Sequence, residues 1–208
     1  MTVLLVVNRA SGTGRAARLA GRLARALDAA DIRYHACDPR DPGPMGTDRA
    51  AFLRRFRAVV LIGGDGTLHH LLPDLCEAGT PVYHAPAGTE NLFAREFGMT
   101  AEADTLLRAL QGGRTRGVDT AQIDTGHHEP RAMALMASFG PDAGVIARLH
   151  AARGRAAGHA MYAGPVLAEI ARPRIAHVSV RVDGEDVVTD SRGLLVVCNC
   201  RQYARRLN

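Results

Sequence analysis

The chain has 208 residues, 47% of them hydrophobic but only 4% aromatic, a net charge of +5 and no Lys, so that all 26 basic residues are Arg. Without Lys there can be no Walker-type phosphate loop, no protein-kinase fold and no Schiff-base chemistry, each of which needs a Lys on the reacting group. The length suits one large domain or two small ones around an aliphatic core, and the charge points to phosphates, nucleic acid or an acidic membrane surface, or else to a general Arg bias in composition.

In chain order, Thr2 to Val7 is an apolar run of the kind found in buried parallel strands. Arg15 to Ala30 reads as a helix with Leu19, Leu23 and Leu27 on one face and Arg15, Arg18, Arg22 and Arg25 on another. Ile32 to Cys37 is a second strand, and Asp38 to Gly46, rich in Pro and Gly, is a loop. Asp48 to Phe56 is a short helix and Ala58 to Ile62 the third strand. Thr67 to Ala78 is a helix interrupted or kinked near Pro73. Pro81 to Ala85 is the fourth strand, followed by helices over Glu90 to Phe97 and Glu102 to Leu110. Strands alternating with helices predict an α/β fold with a doubly wound, mostly parallel sheet.

The rhythm then changes. Strands are expected over Arg116 to Ile123 and Arg131 to Ser138, and helices over Asp142 to Ala152 and His159 to Ala171. A strand series follows over Arg174 to Val182, Glu185 to Thr189 and Gly193 to Cys200, with Asp183-Gly184 as a hairpin turn. These elements predict an α/β domain over residues 1–120 and a β-rich domain over residues 121–208, the second expected to be incomplete. Cys198 and Cys200 alternate on a strand without a second ligand pair nearby, so buried thiols in a reducing cytoplasm are the expectation. The run Val3 to Val7 is too short for a signal-peptide core or a membrane span.

In a doubly wound sheet, ligands bind at the carboxyl ends of the strands. Three such ends carry unusual chemistry: Asn8 to Gly14 after the first strand, Gly63-Gly64-Asp65-Gly66-Thr67 after the third, and Pro86 to Asn91 after the fourth. Glycines let backbone approach a ligand, and amides at a helix start favour phosphate. Ser11, Thr67 and Thr89 add hydroxyls. Taken singly, Ser11-Gly12, Asp65 and Thr89 could each be a plain helix cap. Three together argue for a ligand. A competing pattern lies in the first loop, where Gly12-Thr13-Gly14-Arg15-Ala16-Ala17 matches a dinucleotide fingerprint with Asp38 as ribose-binding acid. It leaves the other two loops without a role.

The ordered series resembles the catalytic domain of the diacylglycerol kinase family, which includes sphingosine kinases and bacterial lipid kinases. Asn8-Arg9-Ala10-Ser11-Gly12 resembles the family's N-P-x-S-G. Gly63 to Thr67 is its GGDGT, and Pro86-Ala87-Gly88-Thr89-Glu90-Asn91 resembles P-x-G-T-x-N, continued by Phe93-Ala94-Arg95. Phe139 to Ala143 resembles its G-x-D-A turn and Val180 to Glu185 its VxVDGE strand and turn. Asn199 stands where a family Asn follows a strand.

The resemblance implies ATP and Mg²⁺ between two domains, and transfer of the γ-phosphoryl group to a lipid hydroxyl of a diacylglycerol-like or sphingoid acceptor. It implies Asp65 as the catalytic and metal-holding residue. It implies nucleotide contacts from Asn8, Ser11, Gly12, Arg15, Gly63, Gly64, Gly66, Thr67, Gly88, Thr89 and Asn91. Ala10 replaces the usual Pro, Leu92 an Asp, and His69-His70 the usual Asn-Glu. The His pair reads as polar residues at a helix start, with ligands or bases as the alternative.

The family's last stretch, with its general-base carboxylate and structural-metal site, is missing, so the chain is expected to be a fragment or a truncated relative. A cytoplasmic enzyme peripheral to the membrane follows. The Arg stripe is then either a solvated face or a transient contact with acidic lipid. Low aromatic content argues against nucleic acid, and an unfinished sheet edge allows a homodimer. The rival readings are a catalytically inactive nucleotide-binding relative and an NAD(P)-binding protein.

Overall fold

The computed structural model describes residues 2–11, 14–41, 45–126, 129–152, 164, 167–168, 171–172 and 175–201. Within these the chain forms two compact units. The first comprises residues 1–135 with the return segment from Asn199, and the second runs from Met136 to Cys198. The first unit extends past the change of rhythm read near residue 115 and keeps one further short hairpin.

The first unit is built on a four-stranded parallel sheet in the order β2-β1-β3-β4: β1 (Val3–Val7), β2 (Tyr34–Cys37), β3 (Ala58–Gly63) and β4 (Val82–Pro86). Every residue of β1 and β3 is buried, as continuous apolar strands between two helical layers must be. On one face α1 (Arg15–Ala29) lays Ala16, Leu19, Leu23 and Leu27 against Val3, Leu5, Val60 and Ile62, joined by Leu106 and Leu110 of α5 (Ala103–Gly112). On the other, α2 (Arg49–Arg54) and α3 (Asp65–Ala78) bury Leu53, Leu68, Leu71, Leu72 and Leu75 against Leu4, Val6, Val59 and Leu61. Helices on both faces make the sheet doubly wound.

Several elements differ from expectation for local reasons. The strand expected from Ile32 begins at Tyr34, because Ile32 is taken up in closing α1, its N–H donating to Leu27 O. The helix expected from Thr67 begins at Asp65 and runs through Pro73 to Ala78. α4 is short, Leu92–Glu96. The strand expected over Arg116–Ile123 shrinks to β5 (Ala121–Ile123), paired with β6 (Arg131–Met133). The segment before it, residues 111–120, is exposed throughout and has no face to bury.

The strand expected over Arg131–Ser138 is split into β6 and β7 (Met136–Phe139), which fall in different units. The second unit contains β7, α6 (Pro141–Ala152), β8 (Ala176–Val182), β9 (Glu185–Gly193) and β10 (Leu195–Cys198). β10 pairs antiparallel with β7, and β8 with β9 across the Asp183-Gly184 turn. Both turn residues have positive φ, 51° and 90°, as a two-residue hairpin of matching twist requires.

The expectation of buried thiols fails for Cys198 and Cys200. Cys198 is exposed within β10, which stops there and leaves the half-exposed Cys200 outside the strand; Cys76 is exposed on α3 and Cys37 is buried. Most of the helix expected over His159–Ala171 lies outside the described residues.

Candidate functional site

Strand order 2-1-3-4 places the topological switch between β1 and β3, where chain paths leave the sheet in opposite directions. This is where an open α/β sheet leaves a crevice beyond its strand ends. The loops after β1, β3 and β4 emerge from three adjacent strands there, and a set of contacts ties them together.

The first tie joins loops one and two. Asn8 Nδ2 donates to Thr67 Oγ1 at 2.8 Å. The same Asn8 accepts from Ala10 N through its side chain and from Ser11 N through its carbonyl, folding the first loop back on itself. Thr67 is 5% exposed, and a Cβ on Gly63 would lie 2.6 Å from its Oγ1. The first glycine of the motif thus makes room for the hydroxyl that meets Asn8.

The second tie joins loops two and three backbone to backbone. A Cβ on Gly88 would lie 2.7 Å from Gly64 Cα, and one on Gly64 would lie 3.1 Å from Gly88 Cα. Only glycine permits that approach. Asn91 closes the third loop: its Oδ1 accepts from Gly88 N at 2.9 Å and its Nδ2 donates to Gly88 O at 3.0 Å. It sits at φ 53°, a left-handed conformation that Asn adopts more readily than most residues. Arg15 Nη2, from the start of α1, donates to the same Gly88 O at 3.0 Å. Arg15 thereby links the first and third loops.

Asp65 forms the third tie. It lies within the first turn of α3, whose N-cap is Gly64, so the plain-cap reading of its side chain does not hold for its own helix. Its carboxylate reaches across to α4, accepting from Leu92 N at 2.9 Å and Phe93 N at 3.1 Å. A carboxylate on the first amides of a helix is favoured by both hydrogen bonding and the local dipole. Asp65 is thus the anchor that docks the third loop on the second.

The site residues expected from sequence divide accordingly. Asn8, Arg15, Gly63, Gly64, Asp65, Thr67, Gly88 and Asn91 are brought together by direct contacts. Ser11 joins through its backbone. Gly66 is exposed beside Asp65 and Thr89 is half-buried beside Gly88. Gly12 lies outside the described residues, as does Thr13 of the dinucleotide pattern. Asp38, the ribose candidate, accepts from Arg40 N in a local turn. His69 and His70 are exposed on α3. Among the described residues no group of three or more His, Cys, Asp or Glu is placed to hold a metal ion.

One residue escaped the sequence reading. His84 of β4 is fully buried, and its Nε2 lies 3.1 Å from Gly63 O. Burial holds its imidazole below the usual range, opposed by the Gly63 hydrogen bond and the Asp65 charge. The available signal was a histidine inside the apolar run Val82 to Ala85, directly before the third loop.

The fold and the three-loop crevice define an α/β protein with a backbone-lined site at the switch point of a parallel sheet. The diacylglycerol kinase catalytic domain profile matches residues 2–123. The chain belongs to that family. Two curated relatives, diacylglycerol kinases of Mycobacterium tuberculosis strains CDC 1551 and H37Rv, are each 29% identical over 155 residues, covering 74% of this chain and 50% of the relative. The chain thus spans about half the length of the curated relatives it matches. A crystal structure of a diacylglycerol kinase from Bacillus anthracis strain Sterne superposes with a TM-score of 0.64 at 21% identity, covering 98% of this chain and 66% of the other. That likeness concerns the fold.

Proposed function

We propose that this chain carries the nucleotide-binding part of an ATP-dependent lipid kinase that transfers the γ-phosphoryl group to a lipid hydroxyl of a diacylglycerol-like or sphingoid acceptor. The observation that carries the reading is the convergence of three loops on glycine backbone at the switch point. The Gly64–Gly88 approach leaves main chain rather than side chains at the base of the crevice, which suits phosphate held by amides.

In this reading Gly63, Gly64 and Gly66 line the phosphates with backbone. Asn8, Ser11, Gly12, Thr67, Thr89 and Asn91 shape the loops or contact the nucleotide. Arg15, exposed at the rim, offers its remaining guanidinium donors to an anion. Phosphoryl transfer asks a protein mainly for positioning and charge neutralisation. In this reading Asp65 is the one carboxylate offered to Mg²⁺, an ion that would be held chiefly by substrate phosphates and water. Bound there, Mg²⁺ would neutralise phosphate charge. Asp65 itself fixes the second and third loops in one arrangement, and in this reading it also orients the acceptor hydroxyl.

Peripheral, cytoplasmic membrane contact belongs to the same proposal. Arg15, Arg18, Arg22 and Arg25 are all exposed on α1. Arg22 spends one donor on Ala101 O and Arg15 one on Gly88 O, and the remaining donors of the stripe suit acidic phospholipid. No helix among the described residues is long and apolar enough to cross a membrane. Edge strand β2 offers a surface for a homodimer.

A second reading is favoured by one observation: both Asp65 oxygens already accept backbone hydrogen bonds, as they would in a nucleotide-binding relative without catalysis. The deciding measurement is transfer of labelled phosphate from MgATP to a mixed lipid extract by this chain, Asp65→Asn and Gly88→Ala. The expected result is lipid label from the parent chain, at least about a hundredfold less from Asp65→Asn, a loss of the size seen for one electrostatic catalytic group, and none from Gly88→Ala. A folded chain stabilised by ATP that labels no lipid supports the second reading. Stabilisation by NAD(P) but not ATP supports the dinucleotide reading.

A further inference from the structure

We infer that His84 is a positioning residue that sets the direction of the Gly64 N–H, and through it the affinity of the crevice for a nucleoside phosphate; this rests on the reading of the site given above. Gly63 O accepts two hydrogen bonds, from Ala87 N at 2.8 Å and from His84 Nε2 at 3.1 Å. The first is an ordinary extension of the β3–β4 ladder. The second comes from a fully buried side chain that stands on the sheet face covered by α3 and α4.

A carbonyl oxygen can only accept, so Nε2 carries the proton and His84 is the neutral Nε2–H tautomer. Its Nδ1 is then an acceptor, buried and without a hydrogen-bond partner among the described residues. An orphaned buried acceptor is unfavourable, and an apolar side chain of similar size would avoid it. What histidine adds over leucine is the second hydrogen bond on Gly63 O.

That bond has a mechanical consequence. The Gly63–Gly64 peptide is planar, with its C=O and N–H at opposite ends. Gly63 O points toward β4, where both donors lie. The Gly64 N–H therefore points toward β1 and the loop of Asn8 and Ser11, into the switch-point crevice. Glycines on either side would let this peptide swing freely. Two donors on its oxygen hold it, and the amide is presented to the crevice rather than averaged over orientations. The grip reaches the third loop as well. The His84 ring packs 6.2 Å from the Phe93 ring, and Phe93 N is one of the two amides held by Asp65. The backbone N–H of His84 faces Met99 Sδ at 3.1 Å, fixing the strand from behind.

The test uses the full chain labelled with ¹⁵N and three forms: parent, His84→Gln and His84→Leu. Long-range proton–nitrogen NMR reads the tautomer of His84, amide spectra read Gly64, and titration with ATP reads the dissociation constant. The expected result is an Nε2–H tautomer in the parent. In His84→Leu, melting no lower than the parent should accompany a displaced or broadened Gly64 amide and ATP affinity weaker by about fivefold to tenfold, the scale of one net hydrogen bond. His84→Gln, which keeps a donor, should recover most of both. An Nδ1–H tautomer, or His84→Leu with the parent's Gly64 amide and ATP affinity, overturns the inference. If the parent binds no ATP, the reading of the site fails with it, whereas a normal parent titration beside an unaffected His84→Leu fails the positioning role alone.

Discussion

The two units are stabilised by different forces. In the first, every residue of β1 and β3 is buried, and the strands read as unbroken apolar runs. In the second, no residue of β9 is buried, and Val182 and Val187 are 51% and 62% exposed. Yet β8 and β9 pair through a two-residue turn and charged cross-strand partners, with the register shifting around Val180. Arg181 grips Asp186 with two hydrogen bonds, and His177 sits between Asp190 and Arg192. A parallel sheet between helices has no wet face and depends on burial. An antiparallel ribbon can be specified by turn geometry and polar pairs, with little burial behind it. The first unit should therefore answer to cavities and the second to salt.

The largest effect expected from this contrast is on the first unit's core. Leu61→Ala, at a fully buried position of β3, should cost about 2–5 kcal/mol. Val187→Ala on β9 should stay within about 0.5 kcal/mol, as surface changes do. Urea unfolding followed by far-ultraviolet circular dichroism gives both values. Equal costs would break the contrast and place Val187 in a core of its own.

Acid should sharpen the same contrast by a smaller amount. Burial holds His84 below its ordinary pKa, so on acidification the unfolded chain takes up the proton first. The stability contributed by neutral, buried His84 is present above the usual value of about 6.5 and is lost as pH falls below it. The nearby Asp65 charge opposes the shift but does not reverse it. Urea midpoints between about pH 8 and pH 5.5 should fall more steeply for the parent than for His84→Leu. Parallel slopes would show that His84 titrates the same way folded and unfolded.

How much of this was legible in the sequence follows from the same physics. The first unit's strands and helices were readable because burial writes itself as apolar runs and as Leu at helical spacing in α1 and α3. The three loops were readable because glycine beside Asp, Asn and Thr at a strand end has few structural uses. The split between β6 and β7 was not legible, since Arg131 to Ser138 carries no Gly or Pro to mark the break. Nor was the partner of Asp65: a carboxylate at a helix start looks the same whether it caps its own helix or one 27 residues away. His84 was overlooked because one histidine in an apolar strand does not alter the period. That Cys200 falls outside β10 depended on where the strand stops, a boundary that alternation alone does not set.

The smallest effect belongs to the ribbon, and it tests the contrast from the other side. Arg181 and Asp186 are directly paired in register, with Nε 2.8 Å from Oδ1 and Nη2 3.3 Å from Oδ2. Their side chains are 66% and 59% exposed, so water already competes for both charges. A pair of this kind is worth about 0.2–1 kcal/mol. Salt should remove most of that, because the screening length falls to about 3 Å at 1 M, no longer than the contact itself. Arg181→Ala should therefore differ from the parent by less than about 1 kcal/mol in low salt, and the gap should close in about 1 M NaCl. A gap that survives salt would mean that the pair is shielded from solvent in the molecule as it exists in solution. The ribbon would then be stabilised by burial after all, and the division of forces between the two units would have to be withdrawn.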